Sequence, residues 1–488
     1  MKKITEEILD FKSIEKKVFN FSMQIGREAL QEEFQRLDLE IMALRDTSEY
    51  RAVNSETRVI KTLMGEVPYT RRRYKKKSGG YVFLLDKVLG IDKDYGLVSE
   101  NLAEQIIAEC ADKSFRKAAG SISNLTGQKV SAMGAWGVFQ QFGERLTNQK
   151  ERLAELQKGG AEGQLGNLPC QILFSEFDDV WLPMQRNKRL AKGTPGKTKR
   201  KRTGKKPIHV GTAYTGWRQS EGDKHRLENK FAYASFGTSD EFVSEFEMLL
   251  RHRFDMDGAE HWIMNGDGAS WIRAAAESND AILQLDPFHR SRAVMRAVAD
   301  KRDRKALLKL VGDKDIQGAL AFITELIAKA TDEQSRKKLG ELFTYFYSNR
   351  NSLLTWAERG IELPDPPEGI VYRNLGTQES SNCDLITQRM KHRKGSWSEN
   401  GANNMAKIRC FRNTIGLDTA LGILPPPPPP MDKSASLSAA KSPKYDGNGY
   451  DASWLFAKMP FDQVSCTNGR NAVRGLLKLK PLTELSFI

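Results

Sequence analysis

Cysteine is scarce in this chain: five residues in 488, at Cys110, Cys170, Cys383, Cys410 and Cys466. They are scattered, odd in number and form no Cys-x-x-Cys pair, which excludes a disulfide framework and a zinc ribbon. Long apolar runs are also missing, so no bilayer-spanning helix is expected. The opening MKKITEEILDFKSIEKK carries lysines with no apolar stretch behind them and does not read as a secretory signal. No internal repeat is visible. Cytoplasmic residence without a membrane partner is the expectation. Apolar residues still make up 39% of the chain, and the mean hydropathy is −0.53. A folded protein of two or three domains with a large core is therefore affordable.

Positive charge is in surplus. Lysine and arginine number 76 against 62 acidic residues, for a net charge of +14. Such a surplus suits a polyanionic partner, and its placement matters more than its size. Residues 12–45 carry Phe19, Phe21, Ile25, Leu30, Phe34 and Leu37 among Glu, Arg and Gln, which predicts one or two amphipathic helices. Residues 57–85 change period and read as two strands around a basic turn. There Arg71, Arg72 and Arg73 precede Tyr74, a pattern suited either to phosphate contact or to a solvated hairpin. Residues 101–145 return to helical spacing. Ser114 and Ser131 can each cap a helix on either side of Thr126–Gly127, a helix-turn-helix pattern that fits DNA reading and plain packing about equally. Residues 151–168 are polar and Gly-rich and predict a linker.

A different texture follows. CQILFSEFDDVWLPMQ, from Cys170, is an apolar strand interrupted by Asp178 and Asp179. The segment from Arg186 to Lys206 is a flexible basic loop that includes Lys199, Arg200, Lys201 and Arg202. IHVGTAYTGW and KFAYASFG read as strands. SDEFVSEFEMLLRHRF reads as a helix with Ser239 as its cap. HWIMNGDGASWIRAAA is a short strand ending on Asn265-Gly266-Asp267-Gly268, then a helix. AILQLDPFHRSRAVMRAV repeats the pattern. Residues 300–360 are helical, GIVYRNLG (Gly369 to Gly376) looks like a last strand, and Glu379 opens the next helix. This order predicts a mixed α/β domain. Beyond Leu421, six consecutive prolines and a polar segment predict an extended, partly disordered tail.

Asp178, Asp267 and Glu379 stand out because they interrupt apolar segments, where a carboxylate is costly unless it is paired, hydrogen-bonded or bound to metal. Three carboxylates brought together repel, and hard cations such as Mg²⁺ or Mn²⁺ relieve that. Two such ions would serve in-line displacement at phosphorus. The glycines beside Asp267 would let the chain turn sharply and a DNA backbone come close. Taken singly, each acid also fits an edge strand, a turn or a helix N-terminus.

The fragments SEFDDVWLPMQ, GDGASWIRAA, LDPFHRSRAV and LGTQESSNCDLITQRMKHRKGSWSENGANNMAKIR resemble transposases of bacterial insertion sequences of the Lre-two type, which are related to mutator-like transposases. The resemblance runs from the N-terminal region, including TLMGEVPYTRRRY, to about Arg412. It implies an α/β ribonuclease-H-like catalytic domain with a mixed sheet and a helical insertion, preceded by a mainly helical DNA-binding region. The corresponding division is 1–100 (helix and basic hairpin), 101–150 (helix-turn-helix-like), 151–168 (linker), 169–299 with 366–420 (catalytic), 300–365 (helical insertion) and 421–488 (tail). It also implies a two-metal triad at Asp178, Asp267 and Glu379. Asp179 is adjacent to the first of these; pleat alternation allows only one of the pair on the active face, and the Glu-x-Asp pattern from Glu176 favours Asp178. Asp286-Pro-Phe-His289 matches a relatives' motif in which His289 would assist near the scissile phosphate. Trp397 would stack on an unpaired base or pack internally. The implied partners are double-stranded DNA, as terminal inverted repeats and target, and further copies of the chain, since two ends require synapsis. Another metal nuclease of the same fold, or a domesticated DNA-binding protein, would share much of this pattern.

Overall fold

A computed structural model describes residues 10–91, 97–158, 166, 168–185, 204–220, 222, 224–392, 395–417 and 419–420. The chain divides into two compact units, Met1–Pro429 and Pro430–Ile488, and every described residue lies in the first. The basic run Lys199–Arg202, Cys466 and the tail lie outside the described residues.

One helix, not two, forms the start. α1 (Phe11–Leu44) is capped by the Asp10 carboxylate, which accepts from the Ser13 amide. It packs on an antiparallel sheet of β1 (Tyr50–Thr62), β2 (Gly65–Lys76) and β3 (Tyr81–Phe83). The hairpin turn is Leu63–Met64, so Arg71–Arg73 lie along β2 and not in a turn as the composition suggested. Their charges meet acids of the same region. Arg72 pairs with Asp38 of α1, and Arg73 faces Glu56 at 3.7 Å. Arg71 pairs with Asp86 of α2 (Leu84–Val88). Asp86 is 1% exposed and also takes Arg58 at 3.2 Å and the Tyr69 hydroxyl at 2.9 Å.

Three helices follow: α3 (Glu100–Asp112), α4 (Phe115–Thr126) and α5 (Ala132–Lys158). The anticipated caps are present. Ser114 accepts from the Lys117 amide at 3.3 Å, Ser131 accepts from the Gly134 amide at 2.9 Å, and Gly127 takes the left-handed conformation at φ 68° between the two helices. α5 runs on to Lys158, so the expected linker at 151–168 loses its first half to helix. ERLAELQK still has helix-forming residues at helical spacing, and the glycine-rich composition begins only at Gly159.

The strands β4 (Ile172–Pro183), β5 (Lys205–Tyr214), β6 (Trp217–Gln219), β7 (His225–Leu227) and β8 (Phe231–Ser235) come next. α6 (Ser239–Arg253) is capped by Thr238, one residue before the expected Ser239, in a capping box with Glu241. Then come β9 (His261–Gly266), α7 (Ser270–Ser278), β10 (Ile282–Leu285) and α8 (Pro287–Ala297). β10, β9, β4, β5 and β8 form, in that order, one mixed sheet. β10, β9 and β4 are parallel; β5 pairs antiparallel with β4, and β8 antiparallel with β5, so that β5 alone runs against the rest. Phe177 on β4 packs against Phe242 and Phe246 of α6 and Trp271 of α7, covering one face.

α9 (Lys301–Gly312), α10 (Ile316–Lys329) and α11 (Glu333–Ser348) build a separate core with α8 around Val294, Leu307, Ile323 and Phe346. This is the helical insertion. β11 (Ile370–Val371) pairs with β6 in a small second sheet, so the strand anticipated at Gly369–Gly376 shrinks to two residues and leaves the main sheet. α12 (Gln378–Asn382) continues through a π-helical turn, Cys383–Thr387, into α13 (Gln388–Met390). α14 (Glu399–Thr414) docks along β8.

One hydrophobic core holds α3–α5, the mixed sheet and α14 together, with Leu102, Phe139, Phe177, Phe246 and Met405 all in it. The segment α3–α5 thus shares one core with the mixed sheet. Burial pushes the Cys110, Cys170 and Cys410 thiols up to about 12, and none is in a disulfide. Among the described residues no helix is long and apolar enough to cross a membrane.

Asp86→Ala leaves Arg71 and Arg58 without their buried partner. It should cost about 3 kcal/mol, read as a lowered denaturant midpoint of the N-terminal region.

Candidate active site

The site follows from strand register. On the three parallel strands Glu176 of β4 lies opposite Asn265 of β9, and Asn265 opposite Gln284 of β10. All three are essentially buried and form a polar row. The Asn265 amide donates to Glu176 Oε2 at 3.0 Å, and the Gln284 amide donates to Asn265 Oδ1 at 3.2 Å. Gln284 Oε1 accepts from the Trp356 backbone amide at 3.1 Å. Strand side chains repeat every second residue on one face. Two residues on from each of these stand Asp178, still within β4, and Asp267 and Asp286, which follow the ends of β9 and β10. The buried polar row is therefore followed along the chain by an acidic row.

Glu176 was not singled out as a functional residue by sequence. Its side chain is 0% exposed and anchors the segment that leads to Glu379. The backbone amides of Gly376, Thr377 and Gln378 donate to it at 2.9 to 3.3 Å, and the Thr377 hydroxyl donates as well. The Tyr214 hydroxyl donates from β5 at 2.7 Å. Burial, followed by this carboxylate, holds the Tyr214 hydroxyl well above its usual range. A buried carboxylate is tolerated when so many donors converge on it. The signal in the sequence was an acid inside the run Ile172–Phe177, the same signal that marked Asp178.

Pleat alternation separates the two adjacent aspartates. Asp178 turns toward α12, where Asn382 donates to its Oδ2 at 2.7 Å. Asp179 is bound by His209 Nδ1 at 2.6 Å. The Asp178 carboxyl is pushed up to about 6, first by burial, with Asp267 and Glu379 adding to it; the Asp179 amide and His289 oppose the shift. Asp267 follows the end of β9, and its Oδ1 accepts from the Ala269 amide at 3.0 Å. Its backbone carbonyl accepts from Tyr345 of the insertion at 2.8 Å. Gly268 supplies the positive φ of 89° that this turn requires. The expected room for a DNA backbone beside these glycines is taken by protein. A Cβ on Gly266 would meet Ile272 at 2.6 Å, and one on Gly268 would meet Asn349 at 2.9 Å. Glu379 is exposed in the first turn of α12.

Asp286 caps α8 through the Phe288 amide at 3.0 Å and holds His289 Nδ1 at 2.9 Å. That hydrogen bond is the main cause raising the His289 pKa; burial opposes it, while Asp178 and Asp267 add to it. Asp178, Asp267, Glu379 and His289, from four separate segments, therefore share one neighbourhood. Among the described residues, no three His, Cys, Asp or Glu side chains converge tightly enough to form a ready coordination sphere.

Two other groups stand elsewhere. Trp397 is a packing residue in this structure. Its indole donates to the Met390 carbonyl at 2.9 Å, its backbone bridges Met184, and the Arg389 guanidinium lies 5.3 Å from its ring. Arg71, Arg72 and Arg73 lie on β2 with their charges engaged as described, not beside the carboxylates.

The chain belongs to an uncharacterised protein family, UPF0236, whose model matches residues 4–420. A relative described as the UPF0236 protein in the vanSb 3′ region of Streptococcus gallolyticus is 23% identical over 413 residues, covering 83% of each chain. Among solved structures, the pre-cleavage Mos1 transpososome aligns over 52% of this chain and 78% of that one, at 11% identity and a TM-score of 0.12. The Mos1 transposase paired-end complex with the left transposon end gives 12% identity and 0.13 over 51% and 77%.

Two outcomes follow from the geometry. Glu176→Gln places an amide NH₂ against backbone donors and should cost about 3 kcal/mol of stability, measured by urea denaturation. The raised Asp178 pKa means that the folded protein binds this proton more tightly than the unfolded chain. Its contribution to stability is fully present below about pH 4 and is lost as pH rises through about 6. At neutral pH the ionised group costs about 3 kcal/mol. Asp178→Asn removes that cost but loses the Asn382 bond, worth about 1–2 kcal/mol. Without divalent ions it should be more stable than the wild type by about 1 kcal/mol at neutral pH, with the gain fading toward pH 4. An equal or lower midpoint at neutral pH would contradict the strained carboxylate.

Proposed function

We propose that the chain is a DNA transposase of the DDE type, acting through a ribonuclease-H-like domain. It would bind the ends of a mobile element, cleave them and join the freed 3′ hydroxyl to target DNA. The observation that carries this reading is the convergence of the segments bearing Asp178, Asp267 and Glu379: Asn382, on the helix that carries Glu379, donates to Asp178, and β4 pairs in parallel with β9, which Asp267 follows. The sequence resemblance, the net charge of +14 and the helical insertion between the second and third acids support it.

The donor chemistry fits two Mg²⁺ or Mn²⁺ ions. Three hard carboxylates repel one another in a half-buried site, and a cation relieves that repulsion. Asp178, Asp267 and Glu379 would hold the ions, drawing together to do so. When bound, such ions activate the attacking oxygen and offset charge on the leaving one. The chain's own residues do the rest. Asn382, from the same helix as Glu379, aligns Asp178. Tyr345 fixes the Asp267 turn. Asp286 occupies His289 Nδ1 and favours the imidazolium, leaving Nε2 to donate to a phosphate oxygen. End binding would fall to α4 and α5, where Met133 and Trp136 are exposed in the first turns of α5.

The test uses the full chain with DNA carrying the ends of the element that encodes it. Asp178→Ala, Asp267→Ala or Glu379→Ala should each lower cleavage by on the order of a thousandfold and leave end binding intact. Mn²⁺ should raise the melting temperature of the wild type and not of Asp267→Ala. A triple alanine variant that still nicks DNA would refute the site. Binding with no cleavage by any form would favour a domesticated DNA-binding protein, and cleavage without strand transfer another metal nuclease.

A further inference from the structure

Phe288 is 49% exposed, yet it sits at the lip of the acidic row. It occupies the first turn of α8, between the Asp286 cap and His289, with its ring 5.5 Å from the imidazole in an edge contact. His289 is held by Asp286, whose backbone amide donates to the Gly266 carbonyl beside Asp267 at 2.8 Å, so a strand whose phosphate reaches Asp267 passes beside this ring. Packing does not account for the exposure. Val294 of α8 points into the core of the insertion, while Phe288, Arg292 and Met295, at i, i+4 and i+7, form the opposite, outward face. The Arg292 guanidinium lies 5.8 Å from the Phe288 ring, and no carboxylate among the described residues pairs with it.

Other aromatics near the sheet are committed elsewhere. Trp397 is held through its indole by Met390. Trp271 is wedged among Phe177, His209 and Phe242. Trp181, 51% exposed, projects with Phe177 and Asp179 from the other face of β4.

We propose that Phe288 stacks on an unpaired nucleobase next to the phosphodiester held at the acidic row, with Arg292 on the flanking backbone phosphate. This rests on the reading that the site acts on a DNA strand, and adds that the strand is engaged with a base out of its duplex. An aromatic face accepts any base, so the contact distinguishes unpaired from paired DNA and not one sequence from another. The arginine beside it supplies the phosphate contact and a cation over the ring.

The experiment uses the full chain with Ca²⁺ in place of Mg²⁺, so that binding is read without cleavage. The probe is a short duplex with a single-stranded 3′ overhang carrying 2-aminopurine at the junction; the control is the same duplex fully paired. Wild type should quench the 2-aminopurine. Phe288→Ala should lose the quenching and about tenfold in affinity for the overhang DNA, with paired-duplex binding and melting temperature unchanged. Phe288→Trp should restore both losses. Equal quenching by Phe288→Ala, or an equal loss on paired DNA, would overturn the stacking role. Wild type that binds paired duplex but never quenches would overturn this inference alone. Wild type that binds neither DNA would overturn the transposase reading with it.

Discussion

The buried carboxylate of Glu176 is the constraint on which the rest of the site depends. It lies in the middle of the mixed sheet with no solvent access and gathers donors from β5, β9 and the approach to α12. A carboxylate buried there is tolerated only while those donors converge. They belong to segments up to 202 residues apart in sequence, so the demand for satisfaction fixes the sheet, the turn before α12 and the placement of Glu379 together. Glu379 is exposed and has little packing of its own to hold it. Its position is inherited from a neighbour that is entirely buried.

The same logic explains why the acids form a row. In parallel strands at fixed register, satisfying Glu176, Asn265 and Gln284 with one another fixes where β9 and β10 end beside β4, and so where Asp267 and Asp286, just past those ends, emerge near Asp178. The second row cannot satisfy itself in the same way. Asp286 spends its oxygens on a helix cap and on His289, while Asp178 keeps a raised pKa. The acids of the site thus rely on single local donors and not on one another, and a cation or a substrate has something to gain there.

Much of this was legible in the sequence because it is local. The acid inside the apolar strand at Asp178, the strand end before Asp267, the serine caps of α4 and α5, and the helices between the second acid and Glu379 all follow from residues within a few positions of one another. What depended on distant partners was not legible. Arg71–Arg73 read as a free basic turn because Asp38 and Asp86 are remote in sequence and reach them only through α1 and α2. The glycines beside Asp267 read as room for DNA because Ile272 and Asn349, which fill that room, are placed by packing. Trp397 offered itself as a stacking residue because nothing local shows that Met390 and Met184 take it up. Glu176 was passed over for a related reason: its value comes from backbone amides of residues 376–378, which carry no side-chain signal.

The helical segment and the acidic site are mechanically one piece, joined by two buried arginines. Arg389, just past the π-helical turn, donates to the Cys110 carbonyl near the end of α3. Arg409 of α14 donates to the Ala111 carbonyl at 2.7 Å, to Asp112, and to carbonyls of the π-helical turn itself, including Leu385 at 2.6 Å. Charged donors buried against backbone carbonyls hold a geometry more rigidly than apolar contact does, because a small displacement leaves both partners desolvated and unpaired. The C-terminus of α3 is thereby tied to the helix that carries Glu379, and α3 packs directly on α4 and α5. A ligand seated on α4 and α5 would therefore press on a framework whose far side positions the third acid. A flexible linker would have isolated the two; the continuous core from Leu102 to Met405 couples them.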